Sequence, residues 1–123
     1  MKKILVILIL SFQVSLQAAD KYTNFSLSSL ESAKNEGKTI VINSYEPWCW
    51  SCRKQDKVLN DAKSEFGNVV FLTYQQGKHR DIAEALNISM RTTIVVFKGQ
   101  VEVDRIIGQT GKPEIYAAIK KGI

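Results

Sequence analysis

Both cysteines of the chain lie in one short stretch, Trp48-Cys49-Trp50-Ser51-Cys52, with two residues between them. A β-branched apolar run, Thr39-Ile40-Val41-Ile42, precedes it, and a charged, helix-forming run from Arg53 to Phe66 follows. A cysteine pair at such a strand-to-helix junction restricts both fold and chemistry. The N-terminus of a helix carries unpaired backbone N–H groups and roughly half a positive charge. A thiolate is stabilised there, and a cysteine pKa of about 8.5 can fall to about 3.5–7.5. The thiolate is the attacking species in disulfide exchange. The spacing therefore casts Cys49 as an exposed nucleophile and Cys52, one helical turn deeper, as the thiol that resolves the mixed disulfide.

Other uses of two cysteines compete with this reading. A structural zinc site takes about four Cys or His ligands, and the chain offers two Cys and one His, His79. A purely structural disulfide would close a very short loop and constrain the unfolded chain little. Soft thiolates also suit Cu(I), but no Met or His adjoins the pair. Redox chemistry leads, with no cofactor beyond a Cys49–Cys52 disulfide and no metal.

The N-terminus reads as an export signal. Met1-Lys2-Lys3 is basic, Ile4 to Leu10 is uninterrupted apolar sequence, and Ser11 to Ala19 is softer with small residues. The apolar segment is shorter than the roughly 20 residues of a spanning helix, so the pattern predicts a cleaved secretory signal over 1–18 and a domain over 19–123. An uncleaved anchor is the alternative. Export would place a bacterial protein in the periplasm, where paired thiols are oxidised unless something reduces them. Without Lys2 and Lys3 the formal charge falls from +5 to +3. That mild, dispersed charge is no nucleic-acid footprint, and nothing in the pattern demands more than a monomer.

The remaining elements follow from periodicity and breakers. Ser28-Ser29-Leu30-Glu31 has capping-box spacing, predicting a helix from Ser29 to Glu36 with Leu30 and Ala33 inward and Gly37 ending it. Lys38 to Ser44 is expected as a strand covered on both faces. Tyr45 to Trp48 is a loop. A helix from Cys49 or Trp50 to Phe66 repeats Val58, Leu59, Ala62 and Phe66 at helical spacing. Val69 to Tyr74 is a second buried strand, Asp81 to Leu86 a short helix, Thr93 to Phe97 a third strand, and Val101 to Ile107 its hairpin partner. Pro113 to Lys121 is a closing helix with Pro in its first turn. The order predicts an α/β fold with a mixed sheet and helices on both faces.

These residues resemble the thioredoxin superfamily over nearly all of the predicted domain. Thr39 to Lys54 is similar to that family's strand, loop and Trp-Cys-x-x-Cys-x-Lys pattern, carried by Trp48, Cys49, Cys52 and Lys54. Ile88 to Gly108 lies on the family pattern without a gap. Ser29 to Lys38 resembles an exported subgroup that includes the C-terminal domain of the transmembrane electron transporter of the disulfide-reducing pathway. The resemblance implies a three-layer sandwich around a four-stranded mixed sheet.

The sequence departs from the family in three places. The family's cis-proline opposite the cysteines falls at Thr92, in Ser89-Met90-Arg91-Thr92-Thr93. A cis bond before a non-proline residue costs about 2.5–4 kcal/mol, so a trans bond or a shifted loop is expected. Arg91 would then stand near the thiolate and stabilise it, or be a solvated loop charge. The family's buried acid beneath the resolving cysteine falls at Asn43, which cannot titrate. Asp56, one turn beyond Cys52, could replace it, or pair with Arg53 or Lys57; Glu46 is a weaker candidate. Trp50 and Ser51 stand between the cysteines. Trp48 and Trp50 suggest an apolar rim for peptide substrates, with plain packing the alternative for Trp48.

The resemblance thus implies an exported thiol–disulfide oxidoreductase acting on disulfide-bearing proteins, on the reducing side, recharged by a membrane electron transporter. The competing class is a thioredoxin-like binding module, gripping a protein partner or soft metal without turnover.

Overall fold

A computed structural model describes residues 25–123. The export signal expected over 1–18 and residues 19–24 lie outside the described residues. Within them the order is α1 (Leu27–Asn35), β1 (Thr39–Tyr45), α2 (Trp50–Glu65), β2 (Val70–Gln75), α3 (Arg80–Ala85), β3 (Thr93–Lys98), β4 (Val101–Ile107) and α4 (Lys112–Lys120). The four strands form one mixed sheet in the order β2-β1-β3-β4, with β1 parallel to β2 and antiparallel to β3, and β3 antiparallel to β4. This is the thioredoxin-like arrangement expected from the sequence.

Side-chain alternation divides β1 and β3 between two cores. Ile40, Ile42, Val95 and Phe97 pack with α1 and α3 through Leu30, Ala33, Ile82 and Ala83. Val41, Ile94 and Val96 point the other way, against Leu59 and Ala62 of α2 and Ile115, Ala118 and Ile119 of α4. Ile40-Val41-Ile42 is continuously apolar because every residue meets a helix layer. Gly99-Gln100 joins β3 to β4, with Gly99 at φ +56° in the left-handed region that favours glycine.

Two local expectations are corrected. The cap of α1 is Ser26, not Ser28. Ser26 has extended backbone, and its Oγ accepts from Ser29 N at 3.1 Å while Ser29 Oγ accepts from Ser26 N at 3.1 Å. A serine thus closes the reciprocal box in place of Glu31, and the helix starts two residues earlier. Second, β2 is an edge strand rather than a fully buried one, with only Leu72 and Tyr74 wholly covered. Its other face is only partly sheltered, and Val69, Val70 and Phe71 pack as half-buried side chains.

Candidate active site

β1 ends at Tyr45, and the loop beyond it delivers Cys49 to the N-cap of α2. β3 runs antiparallel to β1 with Thr93 opposite Ser44. Thr92 therefore arrives at the same end of the sheet as the cysteines, from a segment 40 residues downstream of Cys52.

Cys49 and Cys52 are joined as a disulfide, with Cα atoms 5.2 Å apart. Cys49 Sγ accepts the Cys52 backbone N–H at 3.2 Å, so the sulfur itself is the capping acceptor of α2. In the reduced protein that N–H and the helix terminus favour the anion at Cys49. The expected difference in exposure is corrected: Cys49 and Cys52 are 3% and 4% exposed. Thr92 Oγ1 lies against both sulfurs, 3.3 Å from Cys49 Sγ and 3.2 Å from Cys52 Sγ. What separates the two sulfurs is their donors: Cys49 has the α2 N–H and the Ser51 hydroxyl at 3.4 Å, besides Thr92.

Thr92 reaches this place through its backbone. The described peptide bonds contain no cis bond, and Thr92 sits at φ +61°. A β-branched residue rarely occupies that region, and such conformations cost on the order of 1–3 kcal/mol. Hydrogen bonds hold it there. Thr92 N donates to Ser44 O at 2.9 Å, and its carbonyl accepts from Gly108 N at 2.8 Å and from Gln55 Nε2 at 3.0 Å. The Thr92 hydroxyl also meets Ser51 Oγ at 2.9 Å. The family position filled by cis-proline is thus occupied here by a trans, left-handed threonine that turns a hydroxyl onto the disulfide.

Gln55 is the residue that sequence reasoning missed. It is wholly buried, accepts from Asn43 Nδ2 at 3.0 Å, and donates to Thr92 O and Gln109 O. It is in helical phase with Cys52, Leu59 and Ala62, all buried on α2. That periodicity was the available signal, masked by the polar neighbours Arg53, Lys54, Asp56 and Lys57. Gln76 supports the same end of the sheet from the other side. Its Oε1 accepts from Ser44 Oγ and Tyr74 OH at 2.7 Å each, and its Nε2 donates to Ile88 O at 2.9 Å.

The other expected site residues disperse around this centre. Asn43 is buried as the partner of Gln55. Asp56 is half-buried and, with Cys52 and Asn43, lines a cavity of about 780 Å³. Glu46 is held by Gly77 N and by Gln75 Nε2 at 3.1 Å, fixing the loop before the cysteines. Arg91 is exposed, and its guanidinium lies 4.4 Å from the centroid of the Trp48 ring. Trp48 and Trp50 are 67% and 70% exposed, so neither is packing in the core. Met90 and Ile107 are also exposed, in the Thr92 loop and at the end of β4. Among the described residues no group of three or more His, Cys, Asp or Glu is placed to hold a metal ion.

The thioredoxin family model matches residues 19–121. A thioredoxin of Mycoplasma genitalium is 34% identical over 90 residues, covering 73% of this chain and 88% of that protein. A putative thioredoxin H10 of Arabidopsis thaliana is 28% identical over 79 residues, 64% of this chain and 51% of the relative, so the chain spans about half of that protein. Among solved structures, Trxlp from Edwardsiella tarda superposes with a TM-score of 0.74 at 18% identity, over 77% of this chain and 94% of the other. That likeness bears on the fold; the family match extends to the segment holding the cysteine pair. The chain belongs to the thioredoxin family and is a thiol–disulfide oxidoreductase.

Proposed function

We propose that the protein is exported and reduces or exchanges disulfides of proteins in the periplasm. Cys49 attacks the substrate disulfide, a mixed disulfide forms, and Cys52 displaces the reduced substrate. The observation that carries this assignment is the Cys52 N–H donated to Cys49 Sγ at the head of α2, which favours the anion on the attacking sulfur. Trp48 and Trp50, both exposed beside the pair, offer apolar area to an extended peptide. Export rests on the basic start and short apolar run of residues 1–18. A membrane electron transporter would return the pair to the dithiol in an oxidising compartment.

Cys52→Ser tests the roles. The variant is expected to accumulate mixed disulfides with exported proteins through Cys49, and Cys49→Ser/Cys52→Ser is expected to accumulate none. A double variant that still retains a partner, beside a single variant that traps nothing, would mean a binding module instead. Mass analysis of protein recovered from the periplasmic fraction is expected to show loss of the first 18 residues; recovery of the uncleaved chain from the cytosol would overturn the export reading.

A further inference from the structure

Resolution of a mixed disulfide needs a proton removed from Cys52. A proton supplied to the departing substrate sulfur speeds the step, because a less basic leaving group departs faster than an alkyl thiolate. Asn43, at the buried position behind Cys52, has no titratable proton and spends its amide on Gln55. Hydroxyls stand where the transfer must occur. Thr92 Oγ1 is 3.2 Å from Cys52 Sγ and 2.9 Å from Ser51 Oγ, and Ser51 Oγ is 3.4 Å from Cys49 Sγ, the atom that carries the substrate sulfur in the mixed disulfide. Cys52 and Thr92 are buried, whereas Ser51 is half-buried. The series runs from the covered thiol to the substrate side of the site.

We propose that Thr92 and Ser51 form a two-hydroxyl relay that carries the Cys52 proton to the departing substrate sulfur. Cys52 S–H gives its proton to Thr92 Oγ1, the Thr92 proton passes to Ser51 Oγ, and the Ser51 proton passes to the substrate. In the same step the Cys52 sulfur pair forms the bond to Cys49 Sγ, and the bond from Cys49 Sγ to the substrate breaks, its electrons leaving on the substrate sulfur. Cys49 and Cys52 end as the disulfide, the substrate ends as a thiol, and both hydroxyls regain a proton. A hydroxyl suits this because it donates and accepts at once. Proline at this position would provide neither function. Thr92 presents this hydroxyl to both sulfurs from a left-handed backbone.

The relay rests on Cys49 as attacker and Cys52 as resolver. The test therefore separates the two steps. The reduced protein is mixed with a peptide disulfide whose leaving group is an alkyl thiol, and mixed-disulfide formation and thiol release are followed as two phases from pH 6 to 9. Failure of Cys49 to form the mixed disulfide would show in the first phase; failure of the relay shows only in the second. Glu46, Arg53, Asp56, Lys78 and His79 line the cavity beside Cys52, and Arg91 adjoins Thr92. Because these groups are common to wild type and a hydroxyl variant, the ratio of their rates at each pH isolates the hydroxyl.

Thr92→Val is expected to slow the second phase about a hundredfold at pH 7, the lower end of a general acid–base contribution. The deficit should shrink toward pH 9 as solvent base removes the thiol proton. Ser51→Ala is expected to show the same pH-dependent loss with smaller amplitude, and Thr92→Ser to restore the rate. Second-phase rates within twofold of wild type in Thr92→Val and Ser51→Ala, or a deficit equal at every pH, would overturn the relay. So would a pH-dependent loss in Asp56→Asn that Thr92→Val lacks, since the proton would then leave through the cavity. Should Thr92→Val fail to fold, Ser51→Ala decides by the same criteria.

Discussion

Gln55 Nε2 donates to the carbonyl of Thr92 at 3.0 Å and, from the same nitrogen, to that of Gln109 at 2.8 Å, tying the helix of the cysteines to the loop that covers them. Gln55→Leu would leave buried Asn43 Nδ2 without this partner and Thr92 O with Gly108 N alone, while Gln109 O lies on an exposed residue that water reaches. Losing buried partners costs about 1–3 kcal/mol for each group left unsatisfied, reduced by local relaxation. A loss of about 1–3 kcal/mol in urea unfolding is expected, with little change in m-value. A change under about 0.5 kcal/mol would show that the clamp is not holding the loop.

Thr92 separates stability from chemistry. Glycine accepts φ +61° without the strain of a β-branched side chain, but adds backbone entropy to the unfolded state. Those effects oppose each other, so Thr92→Gly is expected to remain within about 1 kcal/mol of wild type while resolving mixed disulfides as slowly as Thr92→Val. A well-folded Thr92→Gly protein with wild-type turnover would contradict the role given to the hydroxyl.

Asn43→Asp would place an acid where Asn43 donates to Gln55 Oε1 at 3.0 Å. A carboxylate there would face a carbonyl oxygen in a buried site, so the protonated form is favoured and the folded pKa rises. Gln55 cannot readily turn its amide round, because its nitrogen already serves two carbonyls. A raised folded pKa means that stability is greatest below the unfolded value of about 3.9 and falls as pH rises through the folded value, by about 1.4 kcal/mol for each pH unit that separates the two. Denaturation of Asn43→Asp relative to wild type, measured from pH 4 to 8, is expected to show a growing deficit. A constant difference would rule out the buried acid.

Tyr74 gives the wild-type protein an alkaline limit. Burial pushes its phenol above the ordinary value of 10.0, and its hydroxyl donates to Gln76 Oε1 at 2.7 Å. The folded pKa is raised, so this contribution is complete below about pH 10 and is lost as pH rises through the folded value. Tyr74→Phe is expected to cost about 0.5–1.5 kcal/mol at pH 7 and to flatten the decline above pH 10 in denaturation curves. An unchanged alkaline slope would mean that another group sets the limit.

Trp48 and Arg91 concern binding rather than folding. The ring and guanidinium are in contact on an exposed surface, where such a pair contributes about 0.5–1 kcal/mol. Trp48→Ala is expected to change stability by less than about 1 kcal/mol and to raise KM for protein disulfides several-fold while leaving a small aromatic disulfide nearly unaffected. Equal losses on both substrates would place Trp48 in the chemistry instead of the rim.

The layers of the fold were legible because Ile40-Val41-Ile42, Leu59-Ala62 and Ile115-Ala118-Ile119 carry their burial in their spacing. The disulfide pair was legible because its spacing and setting are local. What escaped depends on long-range contacts. Ser26 and Ser28 are both good caps, and only the entry path of the chain selects Ser26. Val69 to Tyr74 reads as buried until the strand order puts it at an edge. Both Cys49 and Cys52 are buried with Thr92, 40 residues beyond Cys52, against their sulfurs. Gln55 was hidden because a buried glutamine among charged neighbours looks like part of a wet face until its partners Asn43, Thr92 and Gln109 are brought together.

The central claim is that the Cys49–Cys52 pair serves as a reductant of protein disulfides. A redox titration of residues 19–123 tests it most directly, following Trp48 and Trp50 fluorescence across defined thiol/disulfide ratios. The expected midpoint is at or below about −230 mV, toward the potentials of disulfide reductants. A midpoint near about −120 mV, characteristic of a strong oxidant, would contradict the account and mean that the protein makes disulfides rather than removing them.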